Sequence, residues 1–353
     1  MVLARPEPLR RRLLSAGLCA AAVACWPARG AAQEGVRRVT DSAGRAVRVP
    51  PRAQRVFPAG PPAAIWLYTL APDALLGWPR ANRPEELPYL LPGVGDKPEL
   101  GRLTGRGSSA NLEAVLALRP DLIVDAGSTR ATFAELADRV QSQTGIPYAL
   151  IDGRLDATAA GYRLLGELLG RSDRAERLAR HAEDTLRAAR ERVARVPLNR
   201  RPRVYYARGP LGLETGLGGS INVEMFDALG IGHVASALPG GLARVSMEQV
   251  LAWDPEVIIT IDQDFAAGVR QNPLWRGVSA VRSGRVHLSP KLPFGWVDFP
   301  PGVNRLPGLW WLGQKVFPAQ FPEDMAVVAR EFYRLFYQVD PSPAALQRVL
   351  AGR

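Results

Sequence analysis

Apolar positions between residues 173 and 196 recur in steps of three and four. Ala175, Leu178, Ala179, Ala182, Leu186, Ala189, Val193 and Val196 draw one stripe along a helix. Asp173 stands at the N-cap position, Glu176 three residues later completes a capping-box pattern, and Pro197 stops the run. About 24 residues at a rise of ~1.5 Å span roughly 36 Å, the width of a small domain. Arginines crowd the other faces. By itself this pattern fits a solvated helix, a coiled-coil piece or a stiff strut between two halves, and the flanks have to decide.

The flanks alternate short strands with helices. A hairpin is predicted over 36–49 with its turn at 41–44, then a strand at 55–57 and a helix at 63–70. After a loop-rich, basic stretch (77–110) come helix 111–118, strand 121–125, helix 131–143, strand 148–151 and helix 157–169. Beyond Pro197 a like order returns: strand 203–207, helix 221–229, helix 246–252, strands 256–261 and 285–288, and helices near 303–316, 325–337 and 343–350. The return is visible residue by residue. The stretch 111–124 lies over 246–259 at a constant offset of 135, with a cap, a glutamate, Val-Leu-Ala, a proline and an apolar strand in register. Arg55-Val56-Phe57 and Arg203-Val204-Tyr205 open the two halves. The predicted fold is therefore α/β: a lobe over 33–172, a connecting helix over 173–196, and a second lobe over 197–353.

Composition adds three points. Residues 1–32 read as an export signal: Arg10-Arg11-Arg12, a short apolar run, then Gly30-Ala31-Ala32 for cleavage. Arg11-Arg12-Leu13-Leu14 weakly resembles a twin-arginine signal, and the segment around Cys25 is a poor lipoprotein box. Both cysteines, Cys19 and Cys25, lie there, so the mature chain has no disulfide and no thiolate metal ligand. Removing these residues takes away five Arg and one Glu and lowers the formal charge from +11 to +7. No basic stretch interleaves with stacking aromatics, so no nucleic-acid partner is expected; attraction to anionic ligands or surfaces is the fairer reading.

The chain resembles the periplasmic binding proteins for ferric siderophores, haem and vitamin B12 that feed ABC importers. The marks are Val39-Thr40-Asp41 with Gly44-Arg45, the Asn111-Leu112-Glu113 unit with Arg119-Pro120-Asp121, the long helix, and Val245-Ser246-Met247-Glu248. The stretches 206–216 and 293–306 look like the branch for iron complexes. The resemblance implies two α/β lobes joined by one helix, ligand in the cleft between them, little domain closure, a permease and its ATPase as partners, and a periplasmic location. It implies a monomeric receptor rather than an enzyme, with an anionic ferric chelate as cargo and no cofactor. Haem, cobalamin or a nickel chelate are alternative cargoes. A chelatase or lyase on the same fold is the rival class, and it would need a general base that only Glu214 and Asp298 could supply on these loops.

Candidate residues follow. Arg208 ends a strand before Gly209-Pro210, where open α/β sheets meet ligands, and its planar fork suits carboxylate or catecholate oxygens. Glu214, between Gly212 and Gly216, is either a ligand contact or the partner that holds Arg208, the second being favoured. Arg305 follows a proline-rich loop. Trp296 beside Gly295 is the aromatic contact, whereas Trp310 and Trp311 read as core. In the first lobe Trp78, Arg80 and Arg106 lie on corresponding loops. The three histidines, His181, His233 and His287, have no ligand spacing and read as structural, so no directly coordinated soft metal is expected; a metal would arrive inside an organic chelator, with bare iron on Tyr or carboxylate oxygens as the alternative. Glu113 and Glu248 sit in first helical turns, where an acid gains ~0.3–1 kcal/mol from the helix dipole and needs no further role. In the resembling proteins, glutamates at these motif positions dock onto arginines of the permease.

Overall fold

The computed structural model describes residues 35–352 except 106, 108 and 109. The expected signal segment, Cys19, Cys25 and Arg106 lie outside the described residues. Val36–Arg353 form one compact unit.

The chain opens with β1 (Arg37–Thr40) and β2 (Ala46–Val49), paired antiparallel. Asp41 holds the turn: Oδ1 accepts from the Ala43 and Arg45 N–H groups, and Oδ2 from that of Leu150. The first sheet takes β3 (Val56–Pro58), β4 (Leu122–Gly127) and β5 (Tyr148–Asp152) in parallel, order β3-β4-β5. Around it lie α1 (Pro61–Leu70), α2 (Leu112–Ala117), α3 (Ala131–Thr144) and α4 (Thr158–Leu169). Next comes α5 (Ser172–Ala194).

The second sheet is parallel in the order β11-β10-β6-β8, from β6 (Arg203–Ala207), β8 (Gly232–His233), β10 (Val257–Thr260) and β11 (Val286–Leu288). A small hairpin, β7 (Glu214–Gly216) with β9 (Leu242–Arg244), stands beside it. The helices of this half are α6 (Glu224–Ala228), α7 (Met247–Trp253), α8 (Gln263–Gly268) and α9 (Ser279–Arg282), followed by α10 (Arg305–Val316), α11 (Met325–Phe332) and α12 (Pro343–Leu350). All four residues of β10 and five of six in β4 are buried, the near-continuous apolar run of a parallel sheet covered on both faces.

The repeat extends into the backbone. Arg119 and Asp254, at the offset of 135, both take a left-handed conformation before their prolines, with φ of 47° and 37°. Asp121 Oδ2 accepts from the N–H groups of Gln54 and Arg55, and Glu256 Oε2 accepts from that of Arg203. Val115 and Ile123 pack on the outer face of the first sheet with Phe57, as Val250 and Ile258 do on the second with Tyr205. A larger shared core lies between.

Helix α5 differs from expectation at its start. The helix begins at Ser172, Arg171 precedes it without a side-chain cap, and Asp173 lies inside the first turn. Gly170 closes α4 at φ 65°, and α5 follows after one further residue, so no extended residue remains to serve as a cap. Glu176 instead binds Arg163 and Arg180. At 221–229 only 224–228 is helical, and at 325–337 the last five residues wind as a wider π turn. Chain beyond 197 does not stay with the second sheet. Tyr68 Oη donates to the Tyr337 carbonyl at 2.8 Å and Tyr89 Oη to that of Ala345 at 2.9 Å, which fasten the last helices to α1 and its neighbouring loop. Arg174 on α5 donates to the carbonyls of Thr69 and Leu335 and so holds both groups to the long helix.

Candidate ligand cleft

Three loop clusters and one helix end enclose a cleft of about 640 Å³. From the first half come the start of α1 (Pro61, Ala64, Ile65), residues between Trp78 and Glu86, and Glu99, Arg102 and Gly107; from the second come Ile261, residues between Pro290 and Gly295, and Asp298, Phe299 and Pro300. Rings and prolines make most of the wall: Trp78, Pro79, Pro290, Pro293, Phe294, Phe299 and Pro300. Helix α1 enters with Pro61 and Pro62, which carry no N–H, and with no acid or side-chain cap in its first turn, so it presents few donors to the cleft.

Charge at the rim is organised around Glu86. Its carboxylate is fully buried and receives Arg80 Nη2 at 2.6 Å and Arg83 Nη2 at 2.9 Å. Burial pushes the Glu86 pKa up, but these hydrogen bonds outweigh it, and the carboxyl stays below its ordinary range. One anion thus anchors two guanidinium groups that remain half exposed. Arg102 and Lys291 also line the cleft, as do Glu99 and Asp298. The wall thus carries four cationic side chains, Arg80, Arg83, Arg102 and Lys291, against the carboxylates of Glu86, Glu99 and Asp298, the last of which shares Arg208 behind the wall with Glu214.

The predicted residues fall into two groups. Trp78 and Arg80 line the cleft. Trp78 is nearly buried; its Nε1 donates to the Val94 carbonyl at 2.8 Å and its ring leans on Tyr68 and Phe294, so it offers little more than an edge. The second group lies behind the wall. Arg208 is buried, with its guanidinium against Asp298 and its Nε 3.0 Å from Glu214 Oε1. Both acids are spent on the arginine, and the fork expected to meet a ligand is already filled. Tyr206 Oη and Asn222 Nδ2 also donate to Asp298 Oδ2, at 3.0 and 2.8 Å. Trp296 does not reach the cleft: it is completely buried, and Gly308 packs so closely on its carbonyl that a Cβ would lie 2.1 Å away. Arg305 is likewise not a cleft residue. It is 1% exposed and donates to Glu224 Oε2 at 2.9 Å, to the Gly153 carbonyl at 2.6 Å and to that of Gly302 at 3.1 Å. Glu224 in turn accepts from the Leu155 N–H at 2.8 Å, so the pair ties the two halves together.

Phe299 takes the place expected of Trp296. It lines the cleft with 75% of its surface exposed and holds φ at 63°. Its N–H donates to Asp298 Oδ1 at 2.7 Å, so the Arg208–Asp298 pair positions it. An aromatic residue next to two prolines gave a sequence signal, but not the direction of its ring.

Asp125, at the end of β4, is a buried carboxyl that accepts the Thr104 hydroxyl at 3.0 Å and so pins the 99–107 segment. Burial pushes its pKa up to about 6. The histidines have structural surroundings: His233 bonds the carbonyls of Val204 and Gly216, and His181 packs edge-on against Phe336. Among the described residues no three His, Cys, Asp or Glu side chains converge as a metal site would need. Glu113 and Glu248 are the second residues of α2 and α7, exposed, behind the caps Asn111 and Ser246. The backbone at Glu248 and the Ser246 hydroxyl hold the Glu248 carboxyl below its usual range.

A family model described as periplasmic binding protein matches residues 63–292. The chain is 26% identical over 272 residues to the molybdate-binding protein of Haemophilus influenzae, a match covering 70% of this chain and 76% of that relative. It is 26% identical over 190 residues to the Fe(3+)-citrate-binding protein of Bacillus subtilis, covering 52% of this chain and 58% of that one. Among solved structures it is similar to an ABC transporter solute binding protein from Sulfurospirillum deleyianum, with 28% identity, a TM-score of 0.80, and coverage of 89% and 98%. Among the described residues no helix is long and apolar enough to cross a membrane.

Proposed function

The chain belongs to the periplasmic binding protein family, and from that premise we propose that it is the exported receptor of an ABC importer, carrying an anionic metal chelate of the ferric-siderophore type to a permease. It does no chemistry on its cargo. The observation that carries this reading is the cleft: about 640 Å³, walled by rings and prolines, with Arg80 and Arg83 held half exposed at its rim. An organic chelator fills an apolar wall, and its anionic oxygens meet the outward N–H groups that Arg80 and Arg83 do not spend on Glu86. Arg80 and Phe299 are the contacts, with Trp78 at the edge. Arg208, Glu214 and Asp298 hold the wall. Glu113 and Glu248, one on each half, dock the permease. The Fe(3+)-citrate-binding relative supports an iron chelate.

A bare oxyanion is the second reading, favoured by the molybdate-binding relative. A tetrahedral oxyanion fills only a small part of such a volume and has no use for its rings. Calorimetric titration with ferric citrate, a ferric catecholate, haem, cobalamin, a nickel–histidine chelate and molybdate decides. Tight binding of an anionic ferric chelate, with molybdate silent, is expected. Binding of molybdate alone overturns the size argument, and preference for a neutral or cationic chelate overturns the charge argument.

A further inference from the structure

The repeat between 111–124 and 246–259 contains six identical pairs, and burial sorts them. Val115/Val250, Pro120/Pro255 and Ile123/Ile258 are buried, so packing alone keeps them alike. The other three are exposed: Glu113/Glu248, Leu116/Leu251 and Ala117/Ala252. They stand at i, i+3 and i+4, which places them together on one outward face of α2 and of α7. The two leucines are each 42% exposed and belong to neither outer core, although Leu112 and Leu118 pack on one core and Met247 and Trp253 on the other. Neither glutamate makes an ion pair among the described residues. The helix dipole favours an acid at Glu113 and Glu248 and Leu251 rests against Gly277, but neither outer core requires the leucine and alanine matches.

We propose that Leu116-Ala117 and Leu251-Ala252 are the apolar half of a docking patch present twice, and that its occupant is a membrane permease of two like halves, each offering a cation beside an apolar socket. The inference rests on the docking role proposed for Glu113 and Glu248 and extends it. An unpaired carboxylate asks for a cation. A leucine left outside the core beside it asks for an apolar socket, and alanine next to that leucine lets the partner's backbone come close. Duplication at one offset asks for a duplicated partner. The acid steers the encounter and is weakened by salt, whereas the leucines hold the complex once formed.

The test uses the full exported chain in its native host. A benzophenone side chain at position 116 or 251 is irradiated in cells, and the adduct is identified by mass spectrometry; the expected product is an ABC permease, from both positions. That permease with its ATPase, purified into nanodiscs, is then offered wild type, Leu116→Ser with Leu251→Ser, and Glu113→Gln with Glu248→Gln. The serine pair should dissociate about 10- to 100-fold faster, nearly independently of salt. The glutamine pair should associate more slowly, most at low salt. Leu116→Met with Leu251→Met should restore slow dissociation, which separates lost contact from lost folding. Wild-type dissociation of the serine pair, or adducts that contain no permease, overturns the inference; a slow glutamine pair would then leave the docking glutamates standing. Unchanged kinetics in both pairs removes the docking role as well.

Discussion

Phe299 holds a left-handed backbone with its ring in solvent, and a non-glycine residue gives up roughly 1–2 kcal/mol to do so. Its exposed ring recovers little of this by packing, so the strain points to a role at the cleft mouth. Phe299→Asn should melt no lower than wild type, since asparagine tolerates that conformation, while affinity for a ferric chelate falls several-fold. A large loss of melting temperature would show that the ring is structural instead. Asp125 gives a second expectation. An unfolded Asp titrates near 4, burial raises this one to about 6, and the native state therefore keeps its proton longer. Its contribution is intact below about pH 4 and is lost as pH rises through 6, a cost of about 3 kcal/mol at neutral pH. In urea denaturation, Asp125→Asn should gain on wild type across that window and stay ahead above it. Parallel curves would refute it. The sequence suggested an aromatic and two arginines near a ligand, but chose Trp296 over Phe299. A glycine neighbour signals loop, and only contacts distant in sequence decide which ring turns inward.

Among the elements, the long helix and the repeated helix–proline–strand unit were legible because each is a local pattern: period, cap, breaker. The N-terminal boundary of α5 was not, because its entry is set by Gly170 turning α4 back on itself. Hairpin β7–β9 is not legible in the sequence, because three-residue strands carry no period. The place of Arg305 is hidden for a related reason. Its partners, Glu224 and the Gly153 carbonyl, are 81 and 152 residues away, and no local pattern distinguishes a cleft arginine from a buried tie. At this scale the expectation is for stability rather than affinity. Arg305→Met strands Glu224 and should cost about 3–5 kcal/mol. Adding Glu224→Gln, which can still accept from Leu155, should recover a good part. Urea midpoints of the two variants measure this. If Arg305→Met instead weakens chelate binding with its midpoint unchanged, the tie is not structural.

At the scale of the whole molecule the two sheets are held from several sides. Helix α5 packs on α4 and α1 and also on α10, Arg174 fastens it to α1 and the last helices, and the Arg305–Glu224 pair joins loops of both halves. A hinge needs a few residues free to change backbone angles, and a 23-residue helix offers none along its length. Small-angle scattering should therefore give the same radius of gyration with and without a bound ferric chelate. A marked contraction would mean that the ties yield. The duplicated outer faces of α2 and α7 carry one more consequence. A receptor whose contact surface nearly repeats itself, set on a partner of two like halves, can land in either of two poses half a turn apart. Were both poses productive, encounters would be doubled by counting alone, while the cleft, which does not repeat, would present its asymmetric cargo in opposite senses along the partner's axis.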